Sequence, residues 1–125
     1  MSTPTPRPLK LGRIASIVPV TDIDRALQFY CGIFGFEKVF ENGDPVGFVI
    51  LEKDDAELLL TLNRQHKATT ENVAHMMVSD ATALYDLMAT HKVRIVKGLR
   101  DADFGLRCFV FADPDGNRID VGEPI

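Results

Sequence analysis

The segment Phe109-Val-Phe-Ala-Asp-Pro-Asp-Gly-Asn-Arg-Ile-Asp-Val-Gly-Glu123 decides how this chain folds. Its first four residues are apolar, which is typical of a β-strand. Asp113 to Asn117 then forms a tight turn, because Pro fixes φ, Gly permits positive φ and short polar side chains bond the nearby backbone. Apolar and polar residues alternate from Arg118 to Gly122. We therefore predict a hairpin with one face toward a core and Asp120 on the other face.

The rest of the sequence contains the same supersecondary unit twice. Val20-Thr21-Asp22 and Val78-Ser79-Asp80 each join a predicted strand to a predicted helix, 58 residues apart. Asp is a favoured residue at a helix N-terminus, and residues at helical apolar spacing follow each junction. We predict a single domain, 1–125, made of two βαβββ units at 12–63 and 73–124, with a flexible arm at 1–11 and a linker at 64–72.

The predicted elements follow from local patterns. Alternating or apolar runs bounded by turn residues predict strands, and Gly35 and His91 are expected at the two helix ends. A charged, Gly-containing stretch over 97–105 is predicted as a loop. The predicted strands are 14–20, 36–40, 46–51, 57–63, 73–78, 93–96, 109–112 and 118–122.

Composition and charge limit the classes of function. The 125 residues carry a net charge of −4, without a basic patch, so we expect no nucleic acid partner. No apolar run approaches the roughly 20 residues that span a bilayer, and the N-terminus lacks the apolar core of a signal peptide. Cys31 and Cys108 share no metal or redox spacing and are expected to be free thiols. We therefore expect a cytoplasmic protein without a membrane partner.

The architecture itself predicts a ligand cleft. Each unit has one helix to cover one face of a half-buried sheet, which leaves the other face open. Pairing two units, within the chain or between chains, turns the open faces into a concave surface. We predict an α+β fold in which a curved mixed sheet surrounds a cleft for a small molecule.

Four segments resemble the vicinal oxygen chelate superfamily, which includes glyoxalases, bleomycin-resistance proteins and extradiol dioxygenases. Together with the repeat they cover residues 12–124, and the resemblance implies the glyoxalase/bleomycin-resistance fold. The segments are Val-Pro-Val-Thr-Asp-Ile-Asp-Arg-Ala-Leu-Gln-Phe-Tyr (18–30), Phe-Gly-Phe (34–36), Val-Ser-Asp (78–80) and Asp-Pro-Asp-Gly-Asn-Arg-Ile-Asp (113–120).

The resemblance also implies where a metal would bind. The four ligand positions of metal-dependent members fall on Ala15, Leu59, Val73 and Asp120, and three of these are aliphatic. One carboxylate does not make a zinc or nickel site. We therefore expect no metal and no cofactor. The sequence is closest to the metal-free bleomycin-resistance-like branch, whose members bind small molecules in this cleft and are often dimers.

Strand register yields the candidate ligand-binding residues. If Asp120 faces the cleft, Arg118 does too, and the carried-over positions add polar and apolar residues from three other strands. Aromatic residues are candidates because they could stack on a planar ligand or belong to the core. The predicted set is His75, Asp120, Glu57, Arg118, Phe48, Phe109, Phe111 and Met77.

Other interpretations of these residues stay open. His75 could be a hydrogen-bonded core histidine, and Glu57 could be solvated at the start of its strand. Asp120 could form an ion pair with Arg118 or Arg107. The turn at 113–117 is interpreted as structural rather than catalytic.

The predicted function is binding and sequestration of a neutral or cationic, partly aromatic compound by a homodimer, as in antibiotic resistance. No catalytic triad or phosphate-binding loop is recognisable in the sequence. The alternative is a divergent glyoxalase-like lyase or isomerase that uses Glu57, His75 and Asp120 as a rearranged site.

Overall fold

The computed structural model describes residues 7–125, so part of the predicted arm at 1–11 lies outside the described residues. Two helices and eight strands occur in this range, in the predicted order. They are β1 (Ser16–Val20), α1 (Ile23–Gly32), β2 (Glu37–Asn42), β3 (Phe48–Lys53), β4 (Ala56–Leu62), β5 (Asn72–Met77), α2 (Ala81–Thr90), β6 (Arg94–Asp101), β7 (Leu106–Ala112) and β8 (Arg118–Pro124).

The strands form two sheets of four, one from each unit. The first sheet has the order β1-β4-β3-β2 and the second sheet has the order β5-β8-β7-β6. In each sheet the first strand of the unit runs parallel to the last, and the other pairs are antiparallel. The predicted fold class, two βαβββ units, is confirmed. The two sheets are neighbours at β1 and β5, where Ser16 Oγ donates a hydrogen bond to Val73 O over 2.8 Å.

Both predicted helix starts are confirmed by their capping contacts. The side chain of Asp22 accepts a hydrogen bond from Arg25 N at 3.0 Å, and that of Asp80 accepts one from Ala83 N at 2.9 Å. Each carboxylate thus satisfies an amide that has no partner within its helix. Helix α1 ends at Gly32 rather than at Gly35, which lies in the following turn with φ +81°.

The largest error of the sequence prediction concerns β6. This strand continues to Asp101, so the loop predicted over 97–105 is wrong for its first five residues. The pairing register shifts between Ile95 and Lys97 and again between Lys97 and Arg100. Such bulges interrupt the alternation of side chains, which is why the charged run did not show the pattern of a strand. All other strand ends lie within three residues of their predicted positions.

One hydrophobic core joins the two units. Helix α1 packs against its own sheet and also reaches the second sheet, because the Phe29 and Phe111 rings lie 6.1 Å apart. On β1, β3, β4 and β8 the buried side chains alternate with side chains that point away from the core; we call this second side the open face. Strand β7 is an exception, because all its residues from Cys108 to Ala112 are buried. The core residues of the sheets are Val18, Val20, Val49, Leu51, Leu58, Leu60, Phe109, Phe111, Ile119 and Val121.

A buried carboxylate connects the β7–β8 turn to the first unit. Asp113 is 5% exposed, and its Oδ2 accepts hydrogen bonds from Tyr30 Oη at 2.8 Å and Asn117 Nδ2 at 3.0 Å. Its Oδ1 accepts the amides of Asp115 and Asn117, both at 2.9 Å. Asn117 Nδ2 also donates to Pro19 O at 2.8 Å. These contacts support the structural interpretation of the turn.

The same turn makes a second connection at its tip. Asp115 Oδ1 accepts hydrogen bonds from Thr21 Oγ1 and from Arg25 Nη2, the latter at 2.8 Å. Burial, followed by the negative charge of Asp113, raises the pKa of Tyr30 well above its ordinary value. The phenol therefore stays protonated and serves as the donor of the connection.

We predict that Asn117→Ala lowers the free energy of unfolding by about 2 kcal/mol, because it leaves buried acceptors short of a donor. Urea titration followed by circular dichroism measures this change. The matched control is Asn72→Ala, an exposed asparagine, for which we expect a change within about 0.5 kcal/mol. Equal effects of the two substitutions would contradict a special role for the turn.

Candidate ligand site

A cavity of about 800 Å³ lies where the two units meet. Its walls come from the inner edges of both sheets, from the chain just before β1 and from the residues around the end of α1. This volume is within the range of small-molecule sites, about 300–1,000 Å³. The lining residues are mainly apolar, with polar groups at Arg13, Ser16, Asp55, Glu57 and His75.

Aromatic side chains form the floor of the cavity. The Phe34 ring lies 6.1 Å from that of Tyr30 in a stacked arrangement and 5.2 Å from that of Phe111. Phe36 joins the group at 6.1 Å from Phe34. Tyr30 and Phe111 are fully buried, whereas Phe34 is only partly buried.

An arginine spans one side of the cavity. Arg13 Nη2 donates to Glu57 Oε2 at 2.8 Å and to Glu52 Oε1 at 3.4 Å. Glu57 is 19% exposed, while Arg13 and Glu52 are about half exposed. The predicted cavity carboxylate Glu57 is therefore present at the site, but it is already paired with the guanidinium group of Arg13.

The second polar group of the cavity is a histidine held by a carboxylate. His75 and Asp120 lie opposite each other in the pairing of β5 with β8, and His75 Nδ1 lies 2.8 Å from Asp120 Oδ2. A carboxylate can only accept, so the proton of a neutral His75 lies on Nδ1. Its Nε2 lies 3.1 Å from Met77 Sδ. The partner of Asp120 is thus His75 rather than Arg118 or Arg107, the two partners considered from sequence.

The structure brings together half of the predicted ligand-binding residues. Glu57, His75, Met77 and Phe111 line the cavity. Asp120 takes part through its contact with His75.

Arg118, Phe48 and Phe109 lie outside the cavity lining. Arg118 donates to Thr70 O at 3.4 Å in the linker. Phe48 packs against Phe40 at 6.2 Å on the first sheet. Phe109 is fully buried and contacts Tyr85 of α2 at 5.2 Å, so it belongs to the core.

Among the cavity residues that the sequence interpretation missed are three aromatic residues and an arginine. Tyr30, Phe34 and Phe36 were seen as helix or motif residues, although three aromatics within seven positions could have indicated an aromatic wall. Arg13 carried no such signal, because its partner Glu57 lies 44 residues away in sequence.

The open faces of the two sheets differ in charge. Cross-strand register places the exposed residues Lys97 and Arg100 on the same side of the second sheet as Asp120, opposite Val110 and Cys108, which are themselves buried. Within residues 7–125, neither Lys97 nor Arg100 makes an ion pair. On the first sheet, cross-strand register places Glu37 opposite Glu52 and Glu52 opposite Glu57, so that three carboxylates form an acidic end of that open face.

Sequence comparison identifies the family of this chain. The family model of the Glyoxalase/Bleomycin resistance protein/Dioxygenase superfamily matches residues 10–121. The chain belongs to this superfamily. The predicted resemblance is confirmed. No curated protein matches the sequence.

Several solved structures share the fold over nearly the whole chain. A member from Sphaerobacter thermophilus DSM 20745 is 26% identical, with a TM-score of 0.78, covering 92% of this chain and 99% of that one. A bleomycin resistance determinant encoded on transposon Tn5 is 19% identical, with a TM-score of 0.78 and coverage of 91% and 98%. A bleomycin-binding protein from Streptomyces verticillus, complexed with copper(II)-bleomycin, is 20% identical, with a TM-score of 0.73 and coverage of 94% and 99%.

Two features are absent from residues 7–125. No three His, Cys, Asp or Glu side chains there are grouped so that they could hold a metal ion. Neither helix in that range has the length and apolar character needed to cross a membrane.

We predict that Asp120→Asn changes the tautomer of His75. An asparagine amide can donate to Nδ1, which would move the ring proton to Nε2. Long-range ¹H–¹⁵N spectra of the imidazole distinguish the two forms. Asp101→Asn, which removes the partner of Arg107 instead, is the control and should leave His75 unchanged. A wild-type ring protonated on Nε2 alone would refute the assignment.

Proposed function

We propose that this superfamily member binds and sequesters a small, partly aromatic, neutral or cationic compound without a metal and without chemical turnover. The observation that carries the proposal is the cavity of about 800 Å³ with an aromatic floor between the two units. The first argument is apolar burial. A planar ligand that buries about 200 Å² of apolar surface there gains about 5 kcal/mol before ordering costs.

Charge at the cavity supports the neutral or cationic character of the ligand. Glu57 and Asp120 supply negative charge, and each already has a partner, Arg13 and His75. A neutral ligand leaves both pairs intact. A cationic group would have to replace Arg13 at Glu57, where a charge-assisted hydrogen bond would hold it.

Structural likeness is consistent with the proposal. The Tn5 protein is a bleomycin resistance determinant, and the Streptomyces verticillus protein binds bleomycin. Both share the fold of this chain. Fold alone does not fix function, so the proposal rests on the cavity.

We predict that Arg13→Ala strengthens the binding of a cationic aromatic compound about fivefold and leaves a neutral aromatic compound unaffected. The substitution frees Glu57, so a cationic ligand no longer has to displace Arg13 from an exposed ion pair, which costs about 1 kcal/mol. Candidate compounds come from a thermal-shift screen of glycopeptide and aminoglycoside antibiotics, bleomycin and aromatic amines. Isothermal titration calorimetry then measures their affinities.

Two variants test whether the change arises at Glu57. Arg13→Ala combined with Glu57→Gln should lose the gain, and Arg64→Ala, an exposed arginine in the linker, should leave affinity unchanged. If no screened compound stabilises the protein, or if neutral and cationic ligands respond alike, the proposed use of Glu57 is wrong.

We also propose that the chain forms a homodimer. The acidic end of the first open face (Glu37, Glu52 and Glu57) keeps a net negative charge although Arg13 bonds two of its carboxylates, and it complements the basic strip of the second (Lys97 and Arg100). Two copies related by a two-fold axis could place each acidic end against a basic strip. Partly exposed apolar side chains on the first open face would then be covered, including Ile17 and Phe40, which are 59% and 50% exposed.

We predict that Lys97→Glu with Arg100→Glu weakens the dimer at least tenfold, because like charges then face each other. Sedimentation velocity over a micromolar concentration series measures the equilibrium. Arg64→Glu with Lys67→Glu makes the same change in net charge in the linker and should leave the dimer intact. A wild-type protein that is only monomeric at these concentrations would contradict the proposal.

A second candidate is a divergent glyoxalase-like lyase or isomerase. The contact of His75 with Asp120 favours it, because a carboxylate that orients an imidazole leaves Nε2 free to accept a proton. Glu57, the third residue of that hypothesis, lines the same cavity but is bonded to Arg13.

Metal analysis together with an activity assay separates the two candidates. We predict less than 0.1 equivalent of zinc or nickel after dialysis, about a tenth of what a dedicated site retains, because Ala15, Leu59 and Val73 cannot bind these ions. We also expect no product from a glutathione hemithioacetal. Stoichiometric zinc or nickel that is lost in His75→Ala, or turnover well above background, would favour the enzyme.

The predicted cytoplasmic location stays a prediction.

A further inference from the structure

The charges of the cavity lining do not balance. The lining contains one arginine, one histidine and two carboxylates, those of Asp55 and Glu57. Arg13 Nη2 donates to Glu57 Oε2 at 2.8 Å, and His75 is bonded to Asp120, which is not itself a lining residue. Asp55 therefore leaves the lining with one carboxylate that no cation of the lining neutralises.

The cations nearest in the chain or in the cavity are engaged elsewhere. The Lys53 ammonium lies beside Gly35, 3.8 Å from the position that a Cβ of that residue would take, in a second and smaller hollow. Arg13 is bonded to two glutamates. In the described range, 7–125, no ion pair includes Asp55, which is exposed. Its carboxylate is thus available to a group from outside the chain.

We propose that Asp55 selects the charge of the ligand, so that the compound held in the cavity is a planar aromatic cation with a protonated amine at the edge of its ring system. The role of Asp55 rests on the proposed function, since it concerns the same cavity. A protonated amine donates a charge-assisted hydrogen bond to Asp55 without displacing Arg13 from Glu57. The ring system packs against the aromatic floor, where Phe34 is only partly buried.

The turn between β3 and β4 fixes the position of this carboxylate. Lys53 pairs with Ala56 across the turn, so Asp54 and Asp55 are its only two residues. Two residues are the shortest common connection between antiparallel strands, and such a turn has little conformational freedom. Asp54 has a φ of +51°, in the left-handed region that Asp and Asn adopt more readily than most residues. It lines the smaller hollow, whereas Asp55 lines the cavity.

Two acridines of similar shape and different charge test the role of Asp55. At pH 7, 9-aminoacridine is a cation and acridine is neutral, and fluorescence titration of the full-length protein measures the affinity of each. We expect Asp55→Asn to weaken the binding of 9-aminoacridine about three- to fivefold, as for the loss of one partly exposed charge pair, and to leave acridine within about 1.5-fold. Added salt should weaken the binding of the cation more in the wild-type protein than in this variant.

Asp54→Asn is the matched control. It makes the same change in net charge in the same turn, and asparagine also adopts the left-handed region, so we expect both affinities to stay within about 1.5-fold. Equal losses of 9-aminoacridine affinity in Asp54→Asn and Asp55→Asn would refute the role of Asp55 and leave the proposed function intact.

Phe34→Leu tests whether the acridines occupy the cavity. This substitution removes a ring of the floor and should weaken both compounds alike. If neither acridine binds the wild-type protein, or if both bind Phe34→Leu as tightly as the wild type, the proposed function is contradicted and the role of Asp55 with it.

Discussion

The buried carboxylate of Asp113 is the constraint on which the arrangement of the two units depends. It accepts four hydrogen bonds, two from side chains and two from amides of its own turn. One of the side-chain donors, Tyr30, belongs to the first unit, and Asn117 continues the connection to the carbonyl of Pro19. A buried carboxylate is tolerated only when donors surround it, so the turn and the first unit specify each other's position. The cavity lies beside this connection, and Tyr30 contributes to both.

Four polar groups of the candidate site are held in two pairs. Glu57 contacts Arg13, and His75 contacts Asp120, so neither carboxylate faces the cavity as an isolated charge. This arrangement lowers the cost of keeping carboxylates next to apolar walls. It also means that net charge alone says little about the ligand. What a ligand meets depends on how readily each partner gives way, and Arg13 lies on an exposed segment before β1.

The fold was predictable from sequence because its signals are local. The Asp22 and Asp80 caps, the turn at 113–117 and the alternation of β8 can each be recognised within a few residues. The predicted hairpin also showed on which face of β8 Asp120 lies. What sequence could not show depends on distant residues. The ion pair of Arg13 joins positions 44 apart, and the bulges of β6 shift register through pairing with β7. Phe109 and Phe111 alternate with Val110 and so lie on the same face of β7. Only their packing partners distinguish them: Phe109 packs against Tyr85 in the core, and Phe111 packs against Phe34 at the cavity.

The position of the cavity between two separately hydrogen-bonded sheets affects how the protein folds. Its walls come from the segment before β1, from α1, from β4 and from β5, so neither unit contains a complete binding surface. The strands of each sheet are hydrogen-bonded only within their own unit, whereas the cavity exists only where the two units pack together. A molecule held there would bind the docked state and not the separated units, and would therefore act as a reversible cross-link between them. Occupancy and the cooperativity of unfolding are thereby coupled in this fold.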